Sequence, residues 1–193
     1  TIIINILIEC LSGIILAIPY DLNNPYDSIS LILISNPFAG FIRNLHYWSA
    51  NAFLIFTILH TWDHFALSTE KKLKRPVWYR LVFSVFVLFY VMISGFILKG
   101  DPESMQAWRI LDSMLNGIPW IGDYISLSLL GYSDDFQILY VHHIASSTII
   151  LLLVIYEHSR IIWSRAKAMI LSLLVLCLIS FFFSADKHFC CSC

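Results

Sequence analysis

The stretch RNLHYWSANAFLIFTILH, residues 43–60, decides how the chain is read. It is mostly apolar and approaches the length of about 20 residues that a helix needs to cross the hydrocarbon core of a bilayer. Yet it holds two histidines, His46 and His60. With a rise of about 1.5 Å per residue they lie about 21 Å apart along a helix axis. Fourteen steps of about 100° leave them only about 40° apart around it, so both share one face. Ionisable side chains inside a membrane are costly and are as a rule kept for function.

The device recurs in HHIASSTIILLLVIYEH, residues 142–158, where His143 and His158 are about 22 Å apart and within about 60° of one another. His142 has no partner at that offset, since Tyr156 and Glu157 stand there. His64 lies one turn beyond His60 on the same face, at the end of the span, within reach of a cofactor edge or a quinone.

Working outward, the 193 residues are 59% hydrophobic and 13% charged, with a mean hydropathy of +0.77. Soluble domains have about a quarter charged residues, so this composition is that of an integral membrane protein. Five apolar stretches, at about 2–18, 46–62, 77–98, 136–156 and 168–184, read as spanning helices. Ile2–Ile18 lacks a basic leader and a cleavage site, so it reads as a span rather than a signal peptide.

Lys71, Lys72, Lys74 and Arg75 crowd one loop, and Arg160, Arg165 and Lys167 another. Asp21, Asp27, Asp101, Glu103, Asp112, Asp123, Asp134 and Asp135 lie in the alternate loops. The positive-inside rule puts the basic loops in the cytoplasm. The second and fourth spans then run inward together, with His46 and His143 at the outer level and His60 and His158 at the inner. The long outer loop, Gly100–Asp135, has apolar residues at helical spacing broken at Gly117–Pro119 and Gly122, which predicts one or two amphipathic surface helices.

Two histidine pairs, one above the other, suit two six-coordinate haem irons stacked across the bilayer. Zinc takes three or four ligands gathered on one centre, which two separated pairs do not offer. The fold class expected is all-α transmembrane: a four-helix diheme bundle over residues 1–162 with surface helices at about 100–135. A fifth transmembrane helix and Cys-rich tail would make up residues 163–193.

At these residues the chain resembles the cytochrome b family of quinol-oxidising bc and bf complexes. RNLHYWSAN is similar to the family's second-helix signature, LIECLSGIILAIPY to its first helix, VMISGFIL to its third and GIPWIGDYI to its outer surface helix. The offsets of 14 and 15 match the split form found in bf-type complexes. The resemblance implies that His46 and His143 ligate an outer b-haem and His60 and His158 an inner one. It implies that Arg43 meets a haem propionate, and that Gly13 and Gly95 let haem approach the helix backbone. Where the family has a further glycine this chain has Leu81, and the neighbouring Arg80 could pair with a propionate on that reading. The Pro-Glu-Trp-Tyr motif of the family's outer quinol site is absent from this sequence; in the split form a separate subunit supplies it.

The tail DKHFCCSC, residues 186–193, spaces Cys190 and Cys193 as C-x-x-C, one His short of a c-type haem attachment site. A chain continuing into a covalent c-haem outside the membrane is one reading. An exposed disulfide, an iron–sulfur or zinc site with His188, and an inert tail are the others. Cys10 and Cys177 lie in apolar runs and read as packing residues.

The function implied is the electron-transfer subunit of a respiratory quinol–cytochrome c oxidoreductase in a bacterial-type cytoplasmic membrane. It would move electrons from an outer quinol-oxidation site through two b-haems to an inner quinone-reduction site, coupled to proton translocation. Its partners would be a Rieske iron–sulfur protein, cytochrome c-type subunits and a subunit supplying the rest of the quinol site, in a dimeric complex. Two alternatives stay open. One is a diheme membrane anchor passing electrons between quinone and a dehydrogenase or multihaem partner without bifurcation. The other is a haem-free protein with a proton relay.

Overall fold

The computed structural model describes residues 2–72, 74–133, 135–158 and 166–183, with residues 2, 69, 70, 157 and 158 as backbone only. Among the described residues there are eight α-helices, one 3-10 turn at Thr69–Lys72 and no strand. The helices are α1 (Ile2–Ala17), α2 (Pro25–Ser35), α3 (Pro37–Ala66), α4 (Arg75–Ile97), α5 (Pro102–Asn116), α6 (Gly122–Leu130), α7 (Gln137–His158) and α8 (Ala166–Phe182).

Local chemistry sets the starts. Pro25, Pro37 and Pro102 open α2, α3 and α5, where the missing N–H costs nothing. Asn36 accepts from the Phe38 amide at 2.9 Å and Asp101 from the Ser104 amide at 2.8 Å, capping α3 and α5. These caps explain where the observed elements differ from the hydropathy reading. The second apolar stretch seemed to begin at 46, but the helix starts at Pro37 and runs 30 residues, because Arg43 and Asn44 lower the hydropathy without breaking the helix. Residues 25–35, which showed no spanning stretch, form α2. The long loop contains two helices, α5 and α6.

The helices at Arg75–Ile97 and Gln137–Tyr156 are long and apolar enough to cross a membrane, while Ile3–Ala17 and Ala166–Phe182 are shorter apolar helices. Large apolar side chains face outward along them, among them Leu11, Phe86, Leu152 and Phe181. Such a surface is unsuited to water.

The packing is pairwise. α1 lies along α3 and α4 along α7, while α1 also touches α7 and α8 lies on α3 and α1. α3 and α7 share no extensive packing contact, so the two histidine-bearing helices stand apart within the bundle. Ile6, Phe53, Leu88, Ile150 and Val154, drawn from α1, α3, α4 and α7, form a buried cluster. Phe53 and Ile150 each stand seven residues after His46 and His143, so the cluster lies beyond those histidines along both helices.

At one end, Ile97, Leu98, Leu130 and Leu139 join α4, α6 and α7. Tyr20 donates to the Leu98 carbonyl at 2.7 Å and stacks on Tyr140 at 5.5 Å. The turn from α4 into α5 needs Gly100, whose φ of +72° disfavours any side chain and whose added Cβ would meet Pro25 at 2.9 Å. α8 ends where α3 begins: Asn44 Nδ2 donates to the Ser180 carbonyl at 3.3 Å and Trp48 Nε1 to the Phe183 carbonyl at 2.9 Å.

Candidate functional site

The described part of the site is built from two matching seats. On α1, Ser12 and Gly13 face His46 of α3; on α4, Ser94 and Gly95 face His143 of α7. His46 Nδ1 lies 3.1 Å from the Glu9 carbonyl and 3.1 Å from Ser12 Oγ. His143 Nδ1 lies 3.1 Å from the Val91 carbonyl and 3.0 Å from Ser94 Oγ. In each case the carbonyl belongs to the residue three before the serine. A carbonyl oxygen only accepts, so each Nδ1 bears the hydrogen and each Nε2 keeps its lone pair. The serines donate elsewhere, Ser12 to the Ile8 carbonyl at 2.7 Å and Ser94 to the Val91 carbonyl at 3.0 Å.

The glycines complete the seats. A Cβ on Gly13 would stand 3.1 Å from His46 Cε1, and one on Gly95 would stand 2.7 Å from His143 Cε1. The space at each glycine is thus taken by an imidazole edge. One feature breaks the match. Glu9 Oε1 lies 3.3 Å from His46 Nδ1, and its Oε2 accepts from the buried Ser49 hydroxyl.

The second histidine level is described only on α3. His60 is exposed, its Nε2 3.2 Å from His64 Nε2, with ring centroids 4.5 Å apart and edge to face. On another face of the same stretch, which His60 does not line, α3 and α4 leave an apolar groove lined by Leu54, Thr57, Thr61, Trp62, Val85 and Phe89. His158 ends α7, but its side chain lies outside the described residues, as do Arg160, Asp134, His188, Cys190, Cys191 and Cys193. Arg80 places its guanidinium 6.0 Å above the Tyr156 ring, a contact between α4 and α7, and Leu81 beside it is half-buried. Cys10 and Cys177 are free and half-buried.

Four residues escaped the sequence reading. Ser12, Ser49 and Ser94 were unmarked, although Ser-Gly precedes the same turn in α1 and α4. Glu9 is the only charged residue of α1, which was a signal. His142 gains a role as well: its Nε2 is 2.9 Å from the Ser128 carbonyl and ties α7 to α6.

Long outward-facing apolar helices, with two imidazoles turned by hydrogen bonds so that one nitrogen stays free, define a helical membrane protein with a matched pair of oriented histidines. The sequence model of the family described as cytochrome b/b6/petB matches residues 1–158, and the chain belongs to that family. It is 26% identical over 129 residues to the menaquinol:cytochrome c reductase cytochrome b subunit of Bacillus subtilis (strain 168), covering 66% of this chain and 58% of that one. It is 26% identical over 126 residues to the protein of the same name from Geobacillus thermodenitrificans, covering 64% and 56%. Cytochrome b6 of Mastigocladus laminosus is also 26% identical over 126 residues, covering 65% and 59%. The chain therefore spans rather more than half the length of these curated relatives.

Cytochromes b are integral membrane proteins of electron transport that bind b-type haem. The residues present fit that group. His46 and His143, each fixed through Nδ1, offer the neutral Nε2 that an axial ligand needs.

Proposed function

We propose that this chain is the diheme cytochrome b part of a quinol–cytochrome c oxidoreductase of the bc or bf type. It would move electrons from a quinol-oxidation site at the end bearing α5 and α6 to a quinone-reduction site at the other end, with proton translocation. The observation that supports this most is the duplicated seat: two histidines on separate helices, each with Nδ1 on a backbone carbonyl and its edge against a glycine. The names of the relatives point the same way.

In this reading His46 and His143 ligate one haem and His60 and His158 the other. When bound, each haem supplies a one-electron carrier whose potential its axial ligands and surroundings set. The chain's own residues do the rest. The carbonyls of Glu9 and Val91 hold the two rings in the ligating tautomer. Arg43, and at the other level Arg80, offer cations to propionates. Phe53, Leu88, Ile150 and Val154 keep water from the space between the levels.

Residues 1–162 form the diheme domain and 163–193 a fifth spanning helix with its tail. The basic loops face the cytoplasm, and Cys190 and Cys193 serve as a c-haem attachment. A Rieske protein, a cytochrome c-type subunit and a subunit with the missing Pro-Glu-Trp-Tyr motif complete a dimeric complex. The absence of that motif from this sequence also favours a second reading, a diheme anchor feeding a dehydrogenase or multihaem partner. Subunits that co-purify separate the two.

The test is a redox difference spectrum with pyridine haemochrome quantitation on the purified complex, wild type against His46→Ala, His60→Ala and Cys193→Ala. The expectation is two b-haems per chain, one lost in each histidine variant, and a c-type signal lost in Cys193→Ala. A wild-type complex without b-haem overturns the reading.

A further inference from the structure

α3 and α4 follow one another in the chain but meet at few points, and an open groove runs between them. Ile58, Thr61, Trp62 and Phe65 line it from α3, and Val85 and Phe89 from α4, at the spacing of one helix face. The Thr61 hydroxyl donates to the Thr57 carbonyl at 2.8 Å, so it turns no unused donor toward a guest. Near the end of α3, Phe65 meets Trp78 of α4 edge to face, with ring centroids 5.6 Å apart. The lining reaches back about 18 Å from Ala66 to Leu54, and forward about 21 Å from Arg75 to Phe89. A hydrocarbon core is about 30 Å thick, so the groove is about one leaflet deep, counting the interface, and stops short of a full crossing. The turn that joins the two helices carries charge. Lys71, Lys72, Lys74 and Arg75 are exposed there, and residues 61–80 hold five basic residues against Asp63 and Glu70. Topology alone accounts for basic residues in such a turn. It does not account for an apolar groove one leaflet deep opening beside them.

We propose that the groove between α3 and α4 and the basic turn beside it bind one anionic phospholipid, with an acyl chain in the groove and the phosphate on the lysines. The parts stand in the order that a lipid of one leaflet needs. Exposed cations lie where the headgroup charge would be, and each ammonium suits a phosphate oxygen as a point charge. Trp62, Trp78 and Tyr79 stand at the next level, where amphipathic rings favour the interface. The apolar lining follows beneath them. A partner's spanning helix would call for a groove about 30 Å long, and a quinone tail would leave the cations without a counterpart. Once seated, the lipid bridges two helices that otherwise hardly touch. Neither a haem ligand nor a quinone site enters this assignment.

The experiment is native mass spectrometry of the purified, delipidated complex, titrated with phosphatidylglycerol and separately with phosphatidylcholine of the same chains. A basic residue beside an anionic headgroup contributes about fivefold to association. The combined variant Lys71→Gln, Lys72→Gln and Lys74→Gln, all at exposed positions, should therefore weaken one phosphatidylglycerol site per chain by more than about tenfold. Ile58→Trp fills the groove and leaves every charge in place, and it should release the same lipid. Val85→Phe, filling the groove from α4, serves should Ile58→Trp not accumulate. Phosphatidylcholine should be retained no better by the wild type than by the lysine variant. Loss in the lysine variant with full retention in the groove-filling variant overturns the site and leaves a diffuse attraction to the basic turn. Equal retention of the two lipids by the wild type overturns the phosphate contact. A wild-type complex that holds no more phosphatidylglycerol than the variants, or that yields it to a short-chain quinone analogue, overturns the proposal.

Discussion

Gly95 and Gly13 occupy equivalent places with different margins. A methyl group on Gly95 would stand 2.7 Å from an imidazole carbon held in place by two hydrogen bonds, whereas on Gly13 the distance is 3.1 Å. Overpacking of this kind costs about 1–3 kcal/mol. Gly95→Ala should therefore fall at the upper end of that range and Gly13→Ala at the lower, measured by thermal unfolding of the purified complex in detergent. Equal losses, or the reverse order, would mean that the rings yield freely. The seats of His46 and His143 were legible because histidines repeat at matched offsets, and those of Gly13 and Gly95 because they sit in motifs, while the His158 side chain lies outside the described residues. Glu9 was not, because one carboxyl in an apolar run has no periodic partner. The contact of His142 was not either, since its acceptor is a backbone carbonyl brought near only when α6 docks.

Among the elements, α5 and α6 form the lid of one end, docked on the apolar cluster of Ile97, Leu98, Leu130 and Leu139 and pinned at its edges by polar contacts. Burial alone would raise the Asp101 carboxyl, but hydrogen bonds from Lys99 and from Ser104 outweigh it and hold the group below its ordinary 3.8. Lys99 Nζ lies 2.5 Å from Asp101 Oδ2. A carboxyl depressed by folding contributes stability above its unfolded value and loses it as pH falls through the folded one. Amide protection in α5 should thus hold at neutral pH and decline below about pH 3.8, as followed by hydrogen exchange.

Asp101→Ala should weaken the start of α5 by about 0.5–2 kcal/mol at neutral pH, the usual loss for an N-cap. Asp101→Asn, which keeps the cap acceptor, should lose less. The far end of the lid hangs on two carbonyls near the C-terminus of α6. Tyr90 donates to Leu129 at 2.8 Å, and His142 Nε2 lies 2.9 Å from the Ser128 carbonyl. His142→Ala should cost about 1 kcal/mol and speed exchange in α6 while leaving α5 unchanged. Uniform exchange across both helices would mean that the lid opens as one piece. That the loop would be helical was readable from apolar spacing, but its docking was not, because the docking groups belong to α4 and α7.

For the molecule as a whole, the membrane character followed from hydropathy and composition. The place of α8 did not. It is apolar on all sides, so no face of it signals a partner. It packs through the buried Leu176 against Ile8 and Leu45, and polar contacts fix its register: Ser172 with Asn5 at 3.2 Å, Asn44 with the Ser180 carbonyl and Trp48 with the Phe183 carbonyl. The central cluster joins all four of α1, α3, α4 and α7 at Phe53, Leu88, Ile150 and their neighbours. Phe53→Ala should destabilise the bundle by about 3–5 kcal/mol, measured by denaturant titration in micelles. A loss below about 1 kcal/mol would mean that lipid or a neighbouring helix refills the gap.

The two seats also bear on how the cofactor is captured. Each imidazole is turned by a single neighbouring helix, His46 by α1 and His143 by α4, and neither orientation needs the other half of the bundle. Under the ligation proposed above, the site would be made of two half-sockets, each oriented within its own helix pair. Capture then becomes the closing of a clamp whose jaws are already set, and little ligand freedom remains to be lost at that moment. Since α1 and α3 turn one ring and α4 and α7 the other, a change within either helix pair should leave the orientation of the opposite ring unaltered.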